Sequence, residues 1–323
     1  MTSEPKIHQQ LEELTSCNSQ QYSKTTMNYK DACKYLLNVV PGYTFKCFND
    51  FDYYQSERCR FDFNPFQKTA FIRHDIDHDP FVALEMAKME AAYGIRSNYF
   101  FLTNDSAAVH FESKVCRERT FDAIAEVASL GHEVGLHYDP IGEFLETGKP
   151  LDESISEPLS WFRDHKIKVN GCVAHGASRI RKLTKNNVFP LQYVNYELWN
   201  DTGAEPKEYE ELGKKFILPM LNLADFGLKY EPYMVRKDRY ISDSGGLLWR
   251  TWNDQHQPFE NVHEAPGINF AEWLASSTLE NEVIQILIHP IWWTRSLGVT
   301  HFYYCGKIKP VEHDFASRVY RTS

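Results

Sequence analysis

Two aspartates separated by a single residue have a spacing that suits metal and acid–base chemistry. Residues 73–79 read RHDIDHD and follow an apolar run. Alternate residues of a strand share a face, so Asp75 and Asp77 are expected to point the same way. Two neighbouring carboxylates repel each other unless a cation or a shared proton compensates. A divalent metal would compensate them, with one carboxylate as a ligand and the other free to handle a proton; the alternative is a solvated, Asp-rich loop.

Histidines at the ends of later apolar segments extend this chemistry. The sequence GHEVGLHYD spans residues 131–139, where His132 precedes the apolar core and His137 follows it. We interpret His132 as a structural residue and His137 as a candidate ligand, because neutral imidazole with a carboxylate is a common zinc combination. His175, in AHGAS, and His289, in LIHP, follow two further apolar segments. A lone histidine in such a place is usually a core or surface residue, but two in equivalent places favour function.

The elements that must position these residues alternate between strands and helices. Strands are predicted over residues 69–77, 97–103, 132–138, 171–175 and 282–289, with further strands over 191–198, 215–221 and 239–243. Helices are predicted over residues 29–39, from Pro80 to Gly94, ahead of Gly131, up to Phe162 with a kink or break at Pro158, and around 270–274. This alternation predicts a parallel sheet, in which polar residues at the carboxyl ends of the strands form the functional site.

Composition and charge exclude several classes of protein. The 323 residues carry a formal net charge of −9 and no dense cationic segment, which argues against a nucleic-acid groove. The start MTSEPKIHQQLEEL is polar and lacks the pattern of a secretory signal, and no apolar run reaches the ~20 residues that a membrane-spanning helix needs. Seven widely spaced cysteines without a C-x-x-C pair suit a reducing compartment. The sequence therefore predicts a cytoplasmic protein without nucleic-acid or membrane partners.

Three motifs together resemble the polysaccharide deacetylase superfamily, also called the NodB-homology group or carbohydrate esterase family 4. RHDIDHDP resembles its first motif, GHEVGLH its second and LIHP its last, and the resemblance spans about residues 30–293. The resemblance implies that Asp75 is the catalytic base, that Asp77 and His137 are metal ligands, and that His289 is the catalytic acid.

The chain departs from the usual pattern of this superfamily at two places. The position four residues after His137, where a second ligand histidine is expected, is occupied by Ile141, and His175-Gly176 replaces the usual Arg-x-Pro motif. A catalytic zinc ion needs about three protein ligands in addition to water. We expect the third ligand to be His175, with Asp139 and then His78 as alternatives.

The resemblance also implies a fold, a function and a cofactor. It predicts a distorted (β/α) barrel at residues 66–323, preceded by a helical lead at 1–65 that packs on the barrel. The expected function is metal-dependent removal of an N-acetyl group from a small sugar or nucleotide-sugar, with one divalent ion, zinc, as cofactor. From their positions after predicted strands, Asp243 and Trp292 are expected to contact the carbohydrate substrate; the alternatives are a plain turn at Asp243 and packing of Trp292 against the barrel.

Two other functions remain open at this stage. One is hydrolysis of a non-sugar amide or ureide bond by a related enzyme. The other is sugar binding by a non-catalytic relative, although retention of Asp75, Asp77, His137 and His289 together argues against this alternative. The sequence does not determine the oligomeric state.

Overall fold

A computed structural model of the chain describes residues 29–30, 33, 43–55, 61–65, 67–103, 109–111, 113–175, 208–211, 214–217, 221, 223–243, 250–252, 280–294, 297–304 and 307–311. The strands in these ranges, numbered in chain order, are β1 (Thr44–Phe45), β2 (Tyr54–Gln55), β3 (Phe61–Asp62), β4 (Thr69–Ile76), β5 (Asn98–Leu102), β6 (Glu133–Tyr138), β7 (Cys172–Ala174), β8 (Glu208–Glu211), β9 (Lys214–Ile217), β10 (Arg239–Ser242), β11 (Arg250–Trp252), β12 (Val283–Ile288), β13 (His301–Tyr304) and β14 (Lys307–Pro310). The α-helices are α1 (Pro80–Ala92), α2 (Lys114–Ser129), α3 (Pro140–Thr147) and α4 (Leu151–Asp164).

A largely parallel sheet forms the centre of the molecule. Its strand order is β11-β10-β12-β4-β5-β6-β7, and β1 adds a short parallel pairing to β4. The neighbours from β10 to β7 are parallel, whereas β11 runs antiparallel to β10. Helix α1 connects β4 to β5, α2 lies between β5 and β6, and α3 and α4 lie between β6 and β7. The prediction of an α/β protein with a parallel sheet is confirmed.

The sheet curls at its β7 side. A single parallel bridge between Gly171 and Tyr230 continues the pairing next to β7. The hydroxyl of Tyr230 donates to Glu133 of β6, and its ring lies 5.3 Å from the ring of Phe48. The segment around Tyr230 therefore folds over the inner face of the sheet, as expected for the distorted (β/α) barrel that the resemblance implies.

Most predicted strands are present with slightly shorter bounds. The predicted strands at 69–77, 97–103, 132–138, 171–175, 239–243 and 282–289 correspond to β4, β5, β6, β7, β10 and β12. The strand predicted at 215–221 overlaps β9, which pairs with β8 in a separate hairpin and not with the main sheet. The predictions at 191–198 and 270–274 lie outside the described residues.

The helical region before β7 breaks at a different place from the one predicted. Pro158 was expected to kink or break it; Pro158 lies inside α4 and does not break it, and the break separates α3 from α4. Gly148 ends α3 in a left-handed conformation with φ of 80°, which glycine adopts without a steric penalty. Pro150 then precedes the first turn of α4. The residues that break the helix are therefore the glycine and the proline between the two segments.

The two faces of the central strands pack against different parts of the chain. Ile72, Ile284 and Ile286 share one buried cluster with Met86 of α1 and with Tyr29 of the N-terminal segment. On the opposite, inner face, Gly135 of β6 lies directly beside Phe100 of β5, and a Cβ atom at residue 135 would be 2.3 Å from that ring. Because residue 135 has no side chain, β5 and β6 can pair while the ring of Phe100 occupies this space.

Part of the N-terminal lead is integrated into the sheet. Thr44 and Phe45 pair with the start of β4, and Tyr29 and Cys33 are fully buried. The domain boundary between residues 65 and 66 stays a prediction. Within the described ranges, no helix is long and apolar enough to cross a lipid bilayer.

Candidate metal centre and active site

Three predicted ligands meet at the carboxyl edge of the sheet. Asp77 follows β4, His137 belongs to β6 and His175 follows β7; one ligand atom from each lies within 4.8 Å of the other two. Parallel strands end at the same edge of a sheet, so polar residues that follow separate strands are brought together. His175 is thus placed where the expected third ligand is needed.

The alternative third ligands have other surroundings. The Oδ1 atom of Asp139 accepts a hydrogen bond of 2.9 Å from the amide of Gly142, so Asp139 caps the N-terminus of α3. His78 follows Asp77 directly but is not part of the group of three ligand atoms. The geometry therefore favours His175, the first choice from the sequence.

The orientation of His137 provides a test of whether a cation fits the site. Its Nδ1 atom lies 2.7 Å from the carbonyl oxygen of Val173 and must donate to it. In the neutral imidazole, Nε2 then carries a lone pair, and this atom lies 3.1 Å from Oδ1 of Asp77. Two acceptors face each other at this distance, which is favourable when a proton or a metal ion lies between them. A backbone carbonyl that fixes the other ring nitrogen is typical of metal-binding histidines.

The electrostatics of the site keep Asp77 ionised. Although burial opposes ionisation, the contact with the His137 imidazole and the nearby imidazoles of His175 and His289 hold the pKa of Asp77 well below its usual range. The ring of His175 lies 5.2 Å from that of His137 in an edge-on arrangement. A carboxylate and two imidazoles are ligands that suit a zinc ion.

His289 lies on the other side of Asp77 and is held by Asp243. Its Nδ1 atom is 2.7 Å from Oδ1 of Asp243, and its Nε2 atom is 3.9 Å from Oδ2 of Asp77. Burial favours the neutral ring, but the charge of Asp243 and its hydrogen bond outweigh this effect and raise the pKa of His289 to about 9. Nδ1 is therefore occupied within the protein, and Nε2 is directed towards the candidate metal site.

Asp75 has a partner that the sequence interpretation missed. The guanidinium of Arg73 donates from Nε to Oδ1 and from Nη2 to Oδ2 of Asp75, each at 2.9 Å. Both side chains are buried, and the guanidinium lies 4.2 Å from the ring centre of Tyr233. The cation that compensates the charge of Asp75 is thus Arg73. The carboxylate of Asp77 is the one that faces the histidines. The signal was present, since Arg73 and Asp75 are two residues apart and share a strand face.

The remaining predictions have mixed outcomes. His132 is structural, as predicted: Nδ1 accepts from the amide of Ser97 at 3.1 Å, and Nε2 donates to the carbonyl of Ala87 at 3.0 Å. The side chain of Asp243 is fully buried and faces His289, an arrangement that favours a positioning role, and its contact with substrate stays a prediction. Trp292 is half-buried against apolar clusters, and its contact with substrate stays a prediction.

Two solved structures resemble this fold at low similarity. A Streptococcus mutans CE4 esterase aligns with 12% identity and a TM-score of 0.41, over 77% of this chain and 85% of that chain. A mutant of a CE4 family pseudoenzyme with restored enzymatic activity aligns with 10% identity and a TM-score of 0.35, over 73% of this chain and 62% of that chain. No protein-family model matches the chain, and no curated protein matches it.

Proposed function

We propose that this protein is a metal-dependent hydrolase that removes the N-acetyl group of a small sugar or nucleotide-sugar. The observation that carries the proposal is the meeting of Asp77, His137 and His175 within 4.8 Å, with Nε2 of His289 3.9 Å from the same carboxylate. A candidate metal site with a histidine acid at its edge suits hydrolysis of an amide. The motifs RHDIDHDP, GHEVGLH and LIHP support the sugar-deacetylase class over other amide hydrolases.

Asp77, His137 and His175 would hold the metal ion, and their donor atoms favour zinc. When bound, such an ion acts as a Lewis acid on a water molecule and on the amide carbonyl. Asp75 is the base in this proposal, and its carboxylate accepts a proton from the attacking water. Arg73 keeps that carboxylate in one orientation, because both of its hydrogen bonds would be lost on rotation.

His289 is the acid in this proposal. Its Nδ1 atom is fixed by Asp243, so the proton that it can transfer is on Nε2. Nε2 is directed towards Asp77, which places this proton beside the candidate metal site. The leaving nitrogen of the amide would take up this proton as the C–N bond breaks.

The test is acetate release from N-acetylated sugars and nucleotide-sugars by protein of known zinc content. We expect zinc removal with a chelator to abolish acetate release and zinc addition to restore it. Asp75→Asn should keep its zinc and lose about 10²–10⁴-fold in kcat. His301→Ala, which removes an exposed histidine of the β13–β14 hairpin, is the matched control and should remain active. A fully active Asp75→Asn variant would contradict the proposed base.

A second variant tests the acid. His289→Ala should retain zinc and lose most of its turnover on acetamido sugars, whose leaving amines need protonation. The loss should be smaller on acetyl esters with good leaving groups, because these depart without a proton. Equal losses on both types of substrate would contradict the role of His289 as the acid.

A further inference from the structure

The indole of Trp293 lies directly behind the Asp243–His289 pair. Trp293 is 2% exposed, and its Nε1 atom donates a hydrogen bond of 2.8 Å to Oδ2 of Asp243. The other oxygen, Oδ1, receives the imidazole of His289 at 2.7 Å. The two oxygens of one buried carboxylate are therefore divided between the acid and the indole.

Because of the local chain arrangement, the shared carboxylate of Asp243 restrains both His289 and Trp293. His289 precedes the 3-10 helix Pro290–Trp293, so the imidazole and the indole lie at the two ends of one short turn. The backbone amide of His289 also points to the Asp243 carboxylate, at 3.0 and 3.1 Å from its oxygens. Rotation of the carboxylate would break its hydrogen bonds to both ends of the turn. The indole thus fixes the plane of Asp243 and, through it, the orientation of His289.

Tyr29 of the N-terminal segment holds the indole from behind. Its ring lies 5.4 Å from that of Trp293 at an angle of 64°, and its side chain is fully buried. The hydroxyl of Tyr29 donates to Oε1 of Glu90 at 2.5 Å, which anchors the ring to α1. Tyr29 and Trp293 belong to one buried cluster that also contains Ile241 of β10 and Ile288 of β12. These strands carry Asp243 and His289 at their ends.

We propose that Trp293 is a positioning residue for His289, acting through Asp243, and that Tyr29 extends this support to the N-terminal segment. The catalytic part of this inference rests on the proposed function. Neither residue touches the reacting atoms in the proposal. Their effect is on the orientation of the proton donor, so the turnover step should respond to their replacement while metal and substrate binding do not.

The decisive variant is Trp293→Phe, which keeps an aromatic ring and removes the N–H donor. We expect kcat to fall about tenfold, because a hydrogen bond to a buried carboxylate is lost, while KM and zinc content stay within twofold. Tyr29→Ala should lower kcat in the same way, whereas Tyr29→Phe keeps the ring against the indole and should have a smaller effect. Trp161→Phe, on α4 between Phe111 and Arg117, is the matched tryptophan control and should leave kcat unchanged. An unchanged kcat in Trp293→Phe would overturn the proposal.

A spectroscopic measurement separates this inference from the proposed function. In the wild-type protein, NMR should show a downfield proton signal for Nδ1–H of His289 bonded to Asp243, and an indole N–H signal that disappears in Trp293→Phe. The imidazole signal should broaden or be lost in that variant and persist in Trp161→Phe. If the wild-type protein releases no acetate, the proposed function fails, and this signal alone decides the inference. An unchanged imidazole signal in Trp293→Phe would then overturn it.

Discussion

Asp77 and Glu90 are both carboxylates surrounded by histidines, but their surroundings differ in what they can bind. The carboxylate of Glu90 accepts hydrogen bonds from the hydroxyl groups of Tyr29, at 2.5 Å, and Tyr99, at 2.6 Å. Its Oε1 atom also lies 2.9 Å from Nε2 of His74. It is fully buried, and its oxygens are satisfied by protein donors. The oxygens of Asp77 face imidazoles at the carboxyl edge of the sheet and retain some exposure. Residue types alone therefore do not distinguish a structural cluster from a candidate metal site.

The two histidines of GHEVGLH, one just before β6 and one near its end, show the same contrast. His132 uses one ring nitrogen to accept from a backbone amide and the other to donate to a backbone carbonyl. His137 uses Nδ1 to donate to a carbonyl, and its Nε2 faces Asp77. A metal ligand needs a lone pair that the backbone does not already occupy. The hydrogen-bond partner of each nitrogen separates the two roles.

The largest expected effect comes from exchanging these two histidines for alanine in turn. His137→Ala should weaken zinc binding by roughly 10²–10³-fold, because a binding free energy of about 10–16 kcal/mol is shared among a few ligands. His132→Ala should keep the zinc affinity and lower the free energy of unfolding by about 2 kcal/mol, because two buried backbone groups lose their partner. Zinc titration and urea unfolding of both variants measure these effects. Loss of zinc in the His132 variant with retention in the His137 variant would reverse the assignment.

The third ligand gives a slightly smaller expected effect. His175→Ala should weaken zinc binding by about 100-fold, because it removes one ligand of three. Asp139→Ala should leave the affinity unchanged and lower the free energy of unfolding by about 1 kcal/mol, as expected for loss of a helix cap. Zinc titration of the two variants side by side decides between them. An unchanged affinity in His175→Ala would exclude His175 from the ligand set.

Glu90→Gln should affect stability and leave zinc binding intact. We expect a loss of about 3 kcal/mol in the free energy of unfolding at neutral pH, because the ionised acceptor of several buried donors is removed. The charge and hydrogen bond of His74 outweigh the effect of burial and lower the pKa of Glu90 from 4.5 to about 2. A carboxylate whose pKa is lowered in the folded state stabilises the folded protein above pH 4.5, and this contribution is lost as the pH falls towards 2. Between these pH values, the free energy of unfolding should therefore depend less on pH in the variant than in the wild-type protein. An equal dependence on pH would contradict the ionised state of Glu90.

Tyr99→Phe is the smallest change and refines the comparison within the Glu90 cluster. It removes one of the two hydroxyl donors and should cost about 1 kcal/mol, since Tyr29 and His74 still contact the carboxylate. Tyr54→Phe, at a residue with 49% exposure, is the control and should be neutral. Thermal unfolding of both variants measures the difference. Equal melting temperatures would show that the Tyr99 hydroxyl adds nothing to the cluster.

The sequence predicts the candidate site where the signal is local. Asp77, His137, His175 and His289 each lie at or just after the end of an apolar strand, and the geometry of a parallel sheet is enough to bring such residues to one edge. Arg73 could have been found in the same way, because its face is set by strand periodicity.

Other features depend on contacts between distant segments. Glu90 is polar and lies on a helix, where exposure is the usual expectation; its burial depends on hydroxyls from Tyr29 and Tyr99. The position of Asp243 after a strand could be predicted, but its contacts with Trp293 and His289 could not, because these residues are about fifty positions away in the sequence. The antiparallel pairing of β8 and β9 also could not be derived from an apolar pattern, because both strands are rich in charged residues.

The position of β12 in the sheet has a consequence for how the chain is made. Val283–Ile288 pair with Thr69–His74 along one side of β4, so this side has no partner from the main sheet until more than two hundred residues have been synthesised. Pairing between such distant segments is slow, because the entropy of closing a long loop is lost before the contacts form. An unpaired apolar strand edge is prone to association with other chains during that interval. We therefore expect the nascent protein to depend on chaperones until β12 is inserted, and its folding yield to fall at high expression rates and recover at low temperature.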